Sequence, residues 1–320
     1  MAIKTILINE NKPSPLTIAL TRLGIETYRN IWTPEAAVLD SISACFVSFY
    51  DCISHPLRVF RLHHALRKRN IPLIAWNRDA PGYMNKQEWQ LDWLERAQLI
   101  DIYLSHALPD ERRFAGTQVL LHNAVQTDSY NLSGMTLDQL DRPEHYRYDV
   151  SFFGAIDSSR YKEYEKRQVF FSRLASALID RGISFNFIDT LRTPLGLAQQ
   201  IKLIQTSRIN LNFDAGCEHG SAIGYGLPER CFGIPACGGF LLSDYRLHAT
   251  DAFSLDSEWA QFRDGNDALA KIEYYLAHFE KTRSIARQSH ARVMLDHTYE
   301  QRARQTIALI ENWRKSACSQ

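Results

Sequence analysis

Short apolar runs alternate with longer segments of helical periodicity along most of the chain, and this alternation limits the folds open to it. In the first 130 residues the apolar runs have the length of strands, and the segment Leu57–Lys68 repeats Val59, Leu62 and Leu66 on one helical face. Strands that are separated by helices are joined by right-handed crossovers into a mostly parallel sheet. The strands predicted in this half are Thr5–Asn9, Ala44–Asp51, Pro72–Trp76, Asp101–Ser105 and Gln118–Asn123.

A polar segment at residues 131–147, rich in turn-forming residues, interrupts this alternation as domain linkers do. After it, strands are predicted at Tyr148–Phe153, Ser184–Asp189, Arg208–Asn212 and Phe240–Ser243. Because 320 residues are few for two complete Rossmann-like domains, we expect the first domain to lack strands or helices. The predicted α/β organisation is a Rossmann-like domain at 1–130, a linker at 131–147, a second Rossmann-like domain at 148–297 and a C-terminal helix at 298–320.

The composition excludes several classes of protein. The chain has 37 Lys and Arg residues against 36 Asp and Glu, a net charge of +1, whereas domains that bind nucleic acid in bulk usually carry a marked basic excess. No apolar run approaches the ~18 residues of a membrane-spanning helix, and the N-terminus has no signal-peptide pattern. The six cysteines form no Cys-x-x-Cys pair, which is typical of reduced thiols. We therefore expect a soluble, cytoplasmic protein.

A basic cluster accompanies the predicted helix at Leu57–Lys68. Its members are Arg58, Arg61, Arg67, Lys68 and Arg69. We interpret it as a solvated helix face, the usual role of such a charge run. The alternative that stays open is attraction of an anionic acceptor or peripheral contact with a membrane surface.

Two loops that follow strands of the second domain carry candidate ligand-binding residues. In the first, Gly154 permits a tight turn and Arg160 offers a cation beside a helix N-terminus, although an ordinary strand–helix turn explains them equally well. The second, Asp214–Arg230, contains four glycines that allow a ligand to approach the backbone, and a flexible connection is the alternative. Its candidates are Glu218, His219, Ser221, Gly224, Gly226, Glu229 and Arg230, with Glu218 and His219 open between hydrogen bonding and acid–base catalysis.

A third loop, Trp76–Tyr83, follows a strand of the first domain. Asp79 in this loop is a candidate general base or a carboxylate that binds an acceptor, and the two aromatic residues can stack on a sugar or a base. A turn-forming Asp before Ala-Pro-Gly is the alternative reading of Asp79.

Several ordered motifs resemble those of one family. The segment Pro228–Asp244 resembles the "R-x-F-E-x-x-A-C-G" helix and strand of the bacterial CgeB-like glycosyltransferases, relatives of the group 1 glycosyltransferases. Tyr148–Gly154 resembles the opening strand "D-V-S-F-x-G" of that family, and His297–Arg302 is similar to its "H-T-Y-x-H-R". Together with Ser207–Phe213, these motifs extend the resemblance over about half of the chain, from Tyr148 to Arg302.

The resemblance implies a GT-B architecture, in which two Rossmann-like domains face an interdomain cleft and the C-terminal one holds a nucleoside-diphosphate-sugar. Gly154 would then lie near the diphosphate, Arg230 and the loop Ser221–Gly226 would bind the phosphates or the donor sugar, and Gly238 would lie in a turn at the floor of the site. The last helix would cross back onto the first domain. The acceptor stays open between a glycan, a protein, a lipid-linked molecule and a small molecule.

The expected reaction is metal-independent transfer of a sugar to an acceptor hydroxyl. No D-x-D motif is present to hold a metal, and no cofactor is expected, the nucleotide-sugar being a substrate. One departure from the family pattern is Gly233, which stands where the family has an acidic residue for the donor ribose; Glu229, one helical turn earlier, is a candidate substitute. This departure keeps two alternatives open: a catalytically silent GT-B domain that binds a nucleotide-sugar or a partner protein, and a sugar-nucleotide epimerase.

Overall fold

The computed structural model describes residues 3–79, 88–108, 112–159, 161–215, 218 and 223–317. The chain divides into two compact units, a first unit of Met1–His122 with Tyr299–Gln320 and a second unit of Asn123–Thr298. Each unit is built on one sheet whose described strand pairs are all parallel. The predicted α/β class with two mostly parallel sheets is confirmed. In the described residues, no helix has the length and apolar character needed to cross a membrane.

The described residues of the first unit form a six-stranded sheet in the order β2-β1-β3-β4-β5-β6. Its strands are β1 (Thr5–Asn9), β2 (Glu26–Arg29), β3 (Cys45–Ser48), β4 (Leu73–Asn77), β5 (Ile100–Ser105) and β6 (Ala115–Leu120). Its helices are α1 (Pro15–Arg22), α2 (Ala36–Ser41), α3 (Phe49–Ser54), α4 (Pro56–Arg67), α5 (Glu88–Ala97) and α12 (Tyr299–Ala317).

The expectation that this first domain lacks strands is wrong. In the described residues the sheet of the first unit has six strands, whereas that of the second unit has five. The strand of the first unit that the sequence analysis missed is the edge strand β2, with the sequence Glu-Thr-Tyr-Arg, which pairs with β1. The side chains of β2 are exposed or half-buried, so that the strand has no apolar run by which to be recognised.

Helices cover both faces of this sheet, which is why the interior strand β1 is buried along its whole length. The crossovers through α4 and α5 run in one direction along the sheet, and both helices pack their apolar side chains into one core cluster with β3, β4 and β5. The crossover through α1 runs in the opposite direction. Helix α12 packs against α1, where Arg22 forms an ion pair with Glu300.

The described residues of the second unit form a five-stranded sheet in the order β11-β10-β9-β7-β8. Its strands are β7 (Tyr148–Gly154), β8 (Phe185–Asp189), β9 (Ser207–Asn212), β10 (Leu241–Asp244) and β11 (Ala260–Phe262). Its helices are α6 (Leu137–Leu140), α7 (Glu165–Asp180), α8 (Leu197–Gln205), α9 (Arg230–Ala236), α10 (Gly265–Ala277) and α11 (Phe279–Asp296).

Residues 131–147, the predicted linker, lie in the second unit, and ion pairs between Asp141 and two arginines of α11 hold them there. Helix α6 begins at a capping box formed by Thr136 and Gln139. Asp141, just after this helix, accepts hydrogen bonds from Arg283 and Arg287 of α11, and these two cations lower the pKa of its carboxyl despite partial desolvation.

Two glycines of the second unit give a test of its packing. Gly182 and Gly238 both have φ in the left-handed region, +65° and +76°, but a Cβ on Gly182 meets no atom within 4 Å, whereas one on Gly238 lies 2.6 Å from Leu140 Cδ1. We expect Gly182→Ala to lower the free energy of unfolding by about 1–2 kcal/mol from backbone strain alone. Gly238→Ala adds about 1–3 kcal/mol of overpacking. Urea denaturation of the two variants measures both losses, and equal losses would contradict the packing at Gly238.

Candidate functional site

Each sheet reverses its direction of strand addition once, and ligands of doubly wound sheets bind at such switch points, beyond the carboxyl ends of the strands. In the second unit the chain moves from β7 to β8 on one side and then returns to place β9 on the other side of β7. In the first unit the switch lies between β1 and β3. Candidate sites are therefore expected at the ends of these two strand pairs.

At the end of β7, an arginine guanidinium lies directly against a glycine. Arg230 is the first residue of α9, and its Nη2 lies only 2.9 Å from where a Cβ on Gly154 would be. Its Nη1 donates to the Phe153 carbonyl at 3.2 Å, and the guanidinium lies 4.8 Å from the centre of the Phe152 ring. The glycine at 154 is therefore what admits the cation to the end of the strand.

A second arginine, which the sequence analysis missed, connects the ends of β7 and β9. Arg167 of α7 is only 4% exposed, and it donates to the carbonyls of Ala155, Phe213 and Asp214 at 2.8, 3.1 and 2.7 Å. Within the described residues it forms no ion pair with a carboxylate. A lone arginine in an amphipathic helix reads as a surface residue, so no sequence signal marks this role.

The charge of Arg230 is poorly compensated by its surroundings. Desolvation, together with repulsion by Arg167 and Arg246, lowers the pKa of Arg230 to about 10, although the nearby Asp244 partly offsets this effect. In the described part of the chain no carboxylate forms an ion pair with this guanidinium. Arg230 therefore remains a cation at neutral pH, and the end of β7 favours an anion.

A buried ion cluster fixes the loop that precedes α9. Arg246, 1% exposed, pairs with Asp244 at 3.0 Å and with Glu218, and Asp244 in turn accepts from the backbone N–H of Asp214 at 2.8 Å. Glu218 accepts from the N–H groups of Tyr225 and Gly226 at 3.1 and 2.7 Å. The predicted ligand residue Glu218 thus binds the loop itself, and Arg246 is a second residue that the sequence analysis missed.

Gly224 and Gly226 both contact the ion cluster, Gly224 beside the guanidinium of Arg246 and Gly226 through the hydrogen bond from its N–H to Glu218. A Cβ on Gly224 would lie 2.7 Å from Arg246 Nη1, so the buried guanidinium requires a glycine there. Despite its desolvation, Asp244 and Glu218 raise the pKa of Arg246 above its ordinary value, because the two carboxylates outweigh the cost of burial.

A buried amide oxygen lies at the end of β9, beside this cluster. Asn212 is fully buried, and its Nδ2 donates to Ser243 Oγ at 3.0 Å and to Asp244 Oδ1 at 2.8 Å. Its Oδ1 has no hydrogen-bond partner among the described residues. A buried acceptor without a partner is costly unless a ligand or water supplies a donor. The switch point of the second unit thus carries an under-compensated cation and an unsatisfied acceptor.

The other predicted residues of the second unit have different outcomes. Arg160, His219 and Ser221 lie outside the described residues. Glu229 is exposed at the start of α9. Gly238 is not brought to this cluster, because it precedes β10 at the opposite end of the strand, where the side chains of Leu132, Leu137 and Leu140 cover it.

Gly233, where the resembling family has an acidic residue, faces an aromatic ring. A Cβ at this position would lie 3.4 Å from Cγ of Tyr130, whose hydroxyl forms a hydrogen bond with Gln200. Tyr130 therefore occupies the space that a longer side chain at 233 needs.

The first unit has a cavity of about 660 Å³ at its own switch point, lined by the loop after β1 and by the start of α3. Trp32 and Trp76 form parts of its wall, with the Arg58 guanidinium 4.1 Å and the Arg78 guanidinium 5.3 Å from the centres of the two rings. Asn9, at the end of β1, is 2% exposed and lines the cavity, and its Oδ1 has no partner among the described residues.

Asp79 reaches this cavity through a tyrosine. Its carboxylate accepts a hydrogen bond from the hydroxyl of Tyr50, a residue that lines the cavity. The backbone N–H of Asp79 donates to Asn77 Oδ1 at 3.1 Å, an arrangement that fixes the turn after β4. Asp79 is thus a turn residue whose carboxylate contacts Tyr50 at the cavity wall, and its role as a general base or as an acceptor-binding group stays a prediction.

The ion cluster around Arg246 is open to a direct test. Arg246→Gln leaves the buried Glu218 and the half-buried Asp244 without their cation, so we expect the free energy of unfolding to fall by about 3–5 kcal/mol. Arg292→Gln is the matched control, because its side chain is 37% exposed in its ion pairs with Glu258 and Asp296. Such exposed pairs contribute about 0–1 kcal/mol. A loss at Arg246 no larger than the loss at Arg292, measured by urea denaturation, would refute the anchoring role.

Known proteins share the sequence pattern of one family and the fold of this chain. Residues 136–308, more than half of the chain, match the glycosyl transferase-like family, whereas no curated protein matches the sequence. Sucrose-phosphate synthase from Thermosynechococcus elongatus superposes with a TM-score of 0.62 at 11% identity, over 99% of this chain and 100% of that one. Anabaena Alr3699/HepE in complex with UDP and glucose gives 0.62 at 10% identity, over 97% and 100%.

A glycosyltransferase from Rickettsia africae gives a TM-score of 0.61 at 10% identity, over 98% of this chain and 99% of that one. At these identities the likeness shows the fold alone, which is that of the GT-B glycosyltransferases. Because the match of residues 136–308 agrees with this fold, the chain belongs to the glycosyl transferase-like family.

Proposed function

We propose that this protein transfers a sugar from a nucleoside-diphosphate-sugar to an acceptor hydroxyl, and that the donor binds at the switch point of the second unit. The observation that carries the proposal is the Arg230 guanidinium at the end of β7, which lies against Gly154 without a carboxylate partner in the described residues. A diphosphate is the anion that a site of this kind takes in a family of glycosyltransferases. The Anabaena protein of the same fold is bound to UDP and to UDP-glucose, so a uridine nucleotide is the first donor to test.

Breaking the bond between the sugar and the diphosphate places negative charge on the leaving oxygen. A cation held in position before the reaction stabilises this charge without reorganisation, and Arg230 is fixed in this way by Phe152 and the Phe153 carbonyl. We propose that Arg230 takes the place of a metal ion in this role. Within the family, the motifs at Tyr148–Gly154 and Pro228–Asp244 support assignment to the CgeB-like group.

We further propose that the cavity of the first unit binds the acceptor. Aromatic walls such as Trp32 and Trp76 are suited to the apolar faces of sugar rings. Asp79, hydrogen-bonded to Tyr50 at this cavity, is the candidate base. In an inverting reaction Asp79 deprotonates the acceptor hydroxyl; in a retaining reaction the leaving diphosphate takes the proton and Asp79 orients the acceptor.

The packing of Tyr130 on Gly233 favours one competing function, a domain that binds a nucleotide-sugar without transferring it, because the family's acidic residue has no counterpart there. A panel of UDP-, GDP-, dTDP- and CMP-sugars separates the two functions. A true donor stabilises the protein by about 2.7 kcal/mol at a hundredfold excess over Kd, and it is then hydrolysed or transferred. Stabilisation without turnover supports the silent domain, and no stabilisation by any of these ligands refutes the donor site.

Two substitutions test the division of labour between the units. We expect Arg230→Ala to weaken binding of the nucleotide-sugar by at least about 1.5–3 kcal/mol, because it removes the cation at the end of β7. Asp79→Ala is expected to leave donor binding intact and to lower the rate of transfer, because Asp79 lies beside the cavity of the first unit. Calorimetric titration and a transfer assay measure the two effects. The reverse pattern would refute the assignment.

A third substitution tests the approach of Arg230 to the strand end. Gly154→Ala places a methyl group 2.9 Å from Arg230 Nη2 and must displace the guanidinium. The loss of one charge-assisted hydrogen bond predicts roughly 10- to 100-fold weaker binding of the nucleoside diphosphate. Gly116→Ala is the matched control, because a Cβ there meets no atom within 4 Å. Equal affinities of the two variants, measured by calorimetry, would show that the close contact is not needed for binding.

A further inference from the structure

Exposed apolar side chains of the first unit are concentrated on two helices. Among the described residues of that unit, five large apolar side chains are exposed, and four of them lie on α4 and α5: Leu57 at 72%, Phe60 at 53%, Trp89 at 66% and Trp93 at 43%, the fifth being Tyr28 in the edge strand. Scattered exposed residues need no explanation, whereas such a concentration marks a binding surface.

These four side chains belong to one layer of the unit. Helix α4 buries Val59, Leu62 and Leu66, and α5 buries Leu91 and Leu94, all in the same core cluster on one face of the sheet. The outward sides of both helices therefore point away from that same face. We call the outward residues of this layer the α4–α5 surface: Leu57, Phe60, Arg61, Arg67, Lys68, Trp89 and Trp93.

The charges carried by helix α4 itself have a single sign. Helix α4 contains no acidic residue, and Arg61, Arg67 and Lys68 are exposed. None of these three forms an ion pair with a carboxylate in the described part of the chain, whereas the neighbouring Arg69 pairs with Asp40 at 2.7 Å. Helix α5 differs, because its carboxylates Glu88, Asp92 and Glu95 share the single cation Arg112, so the cationic part of the surface is α4 with Lys68.

We propose that the α4–α5 surface binds an anionic lipid bilayer, with Leu57 and Phe60 inserted at the interface and Arg61, Arg67 and Lys68 near the lipid phosphates. Apolar and cationic side chains on one helix face are the combination that holds a helix in the plane of a bilayer surface, and exposed tryptophans such as Trp89 and Trp93 favour the bilayer interface. A nucleic acid would use the cations but not the exposed Leu57 and Phe60, and the net charge of the whole chain is only +1.

This surface adjoins the cavity of the first unit. His55 and Arg58, at the start of α4, line that cavity, whereas Leu57 and Phe60 are exposed on the same helix. Docking of α4 on a bilayer thus brings the rim of the cavity to the lipid surface. The inference goes beyond the proposed transfer reaction and does not depend on it, because vesicle binding needs no donor and no turnover.

Co-sedimentation with vesicles tests the proposal. We expect the full chain to bind vesicles that contain phosphatidylglycerol, to bind vesicles of phosphatidylcholine alone much more weakly, and to be released from the former by added salt. Each basic residue near an anionic bilayer contributes a factor of about five to partitioning, so the double variant Arg61→Gln with Lys68→Gln predicts about 25-fold weaker binding. The double variant Leu57→Ser with Phe60→Ser is expected to lose binding as well, because the inserted apolar area is removed.

A matched control carries the same loss of charge elsewhere. Arg263→Gln with Lys281→Gln removes two exposed cations of the second unit and is expected to leave vesicle binding unchanged. Circular dichroism and thermal unfolding check that every variant is folded, which we expect because all six substituted residues are exposed. Three outcomes would overturn the proposal: no binding of the wild-type chain to anionic vesicles, equal losses in the control and the α4 variants, or α4-dependent binding of an oligonucleotide in place of vesicles.

Discussion

The site of the second unit depends on one buried arginine. Arg246 is enclosed at the end of β10, where its charge is tolerated only because Asp244 and Glu218 are close to it. Glu218 in turn fixes the loop that precedes α9, because it accepts hydrogen bonds from the N–H groups of Tyr225 and Gly226, a few residues before this helix begins. The position of Arg230 at the end of β7 therefore follows from an ion cluster that includes neither Arg230 nor Gly154.

Arg167, Arg246 and Arg230 lie near the carboxyl ends of this sheet and differ in how their charges are compensated. Arg167 donates to three carbonyls, and Arg246 pairs with two carboxylates. Arg230 donates to the Phe153 carbonyl, lies against the Phe152 ring and is repelled by the other two arginines. The first two fix the framework, and the third leaves a positive potential where a ligand is expected. A net charge of +1 for the whole chain conceals this local excess, just as it conceals the cations of α4.

Much of the fold can be predicted from hydrophobic periodicity, whereas most of the residues that hold the candidate site in place cannot. The predicted strand Thr5–Asn9 matches the observed one, and the loops with Gly154 and Arg230 could be found because a ligand loop must follow a strand. Strand β2 carries no apolar run, and Arg167, Arg246 and Tyr50 are single residues whose partners are distant in sequence. Such contacts depend on how the helices and strands pack, so they cannot be predicted from the local sequence.

The central claim is that Arg230 binds the diphosphate of the donor. It is tested most directly by calorimetric titration of the wild-type chain and of Arg230→Ala with a nucleoside diphosphate and with the corresponding nucleoside. The account predicts that the substitution weakens binding of the diphosphate by at least about 1.5–3 kcal/mol and leaves the affinity for the nucleoside unchanged. An equal loss for both ligands, or no loss for either, would contradict it.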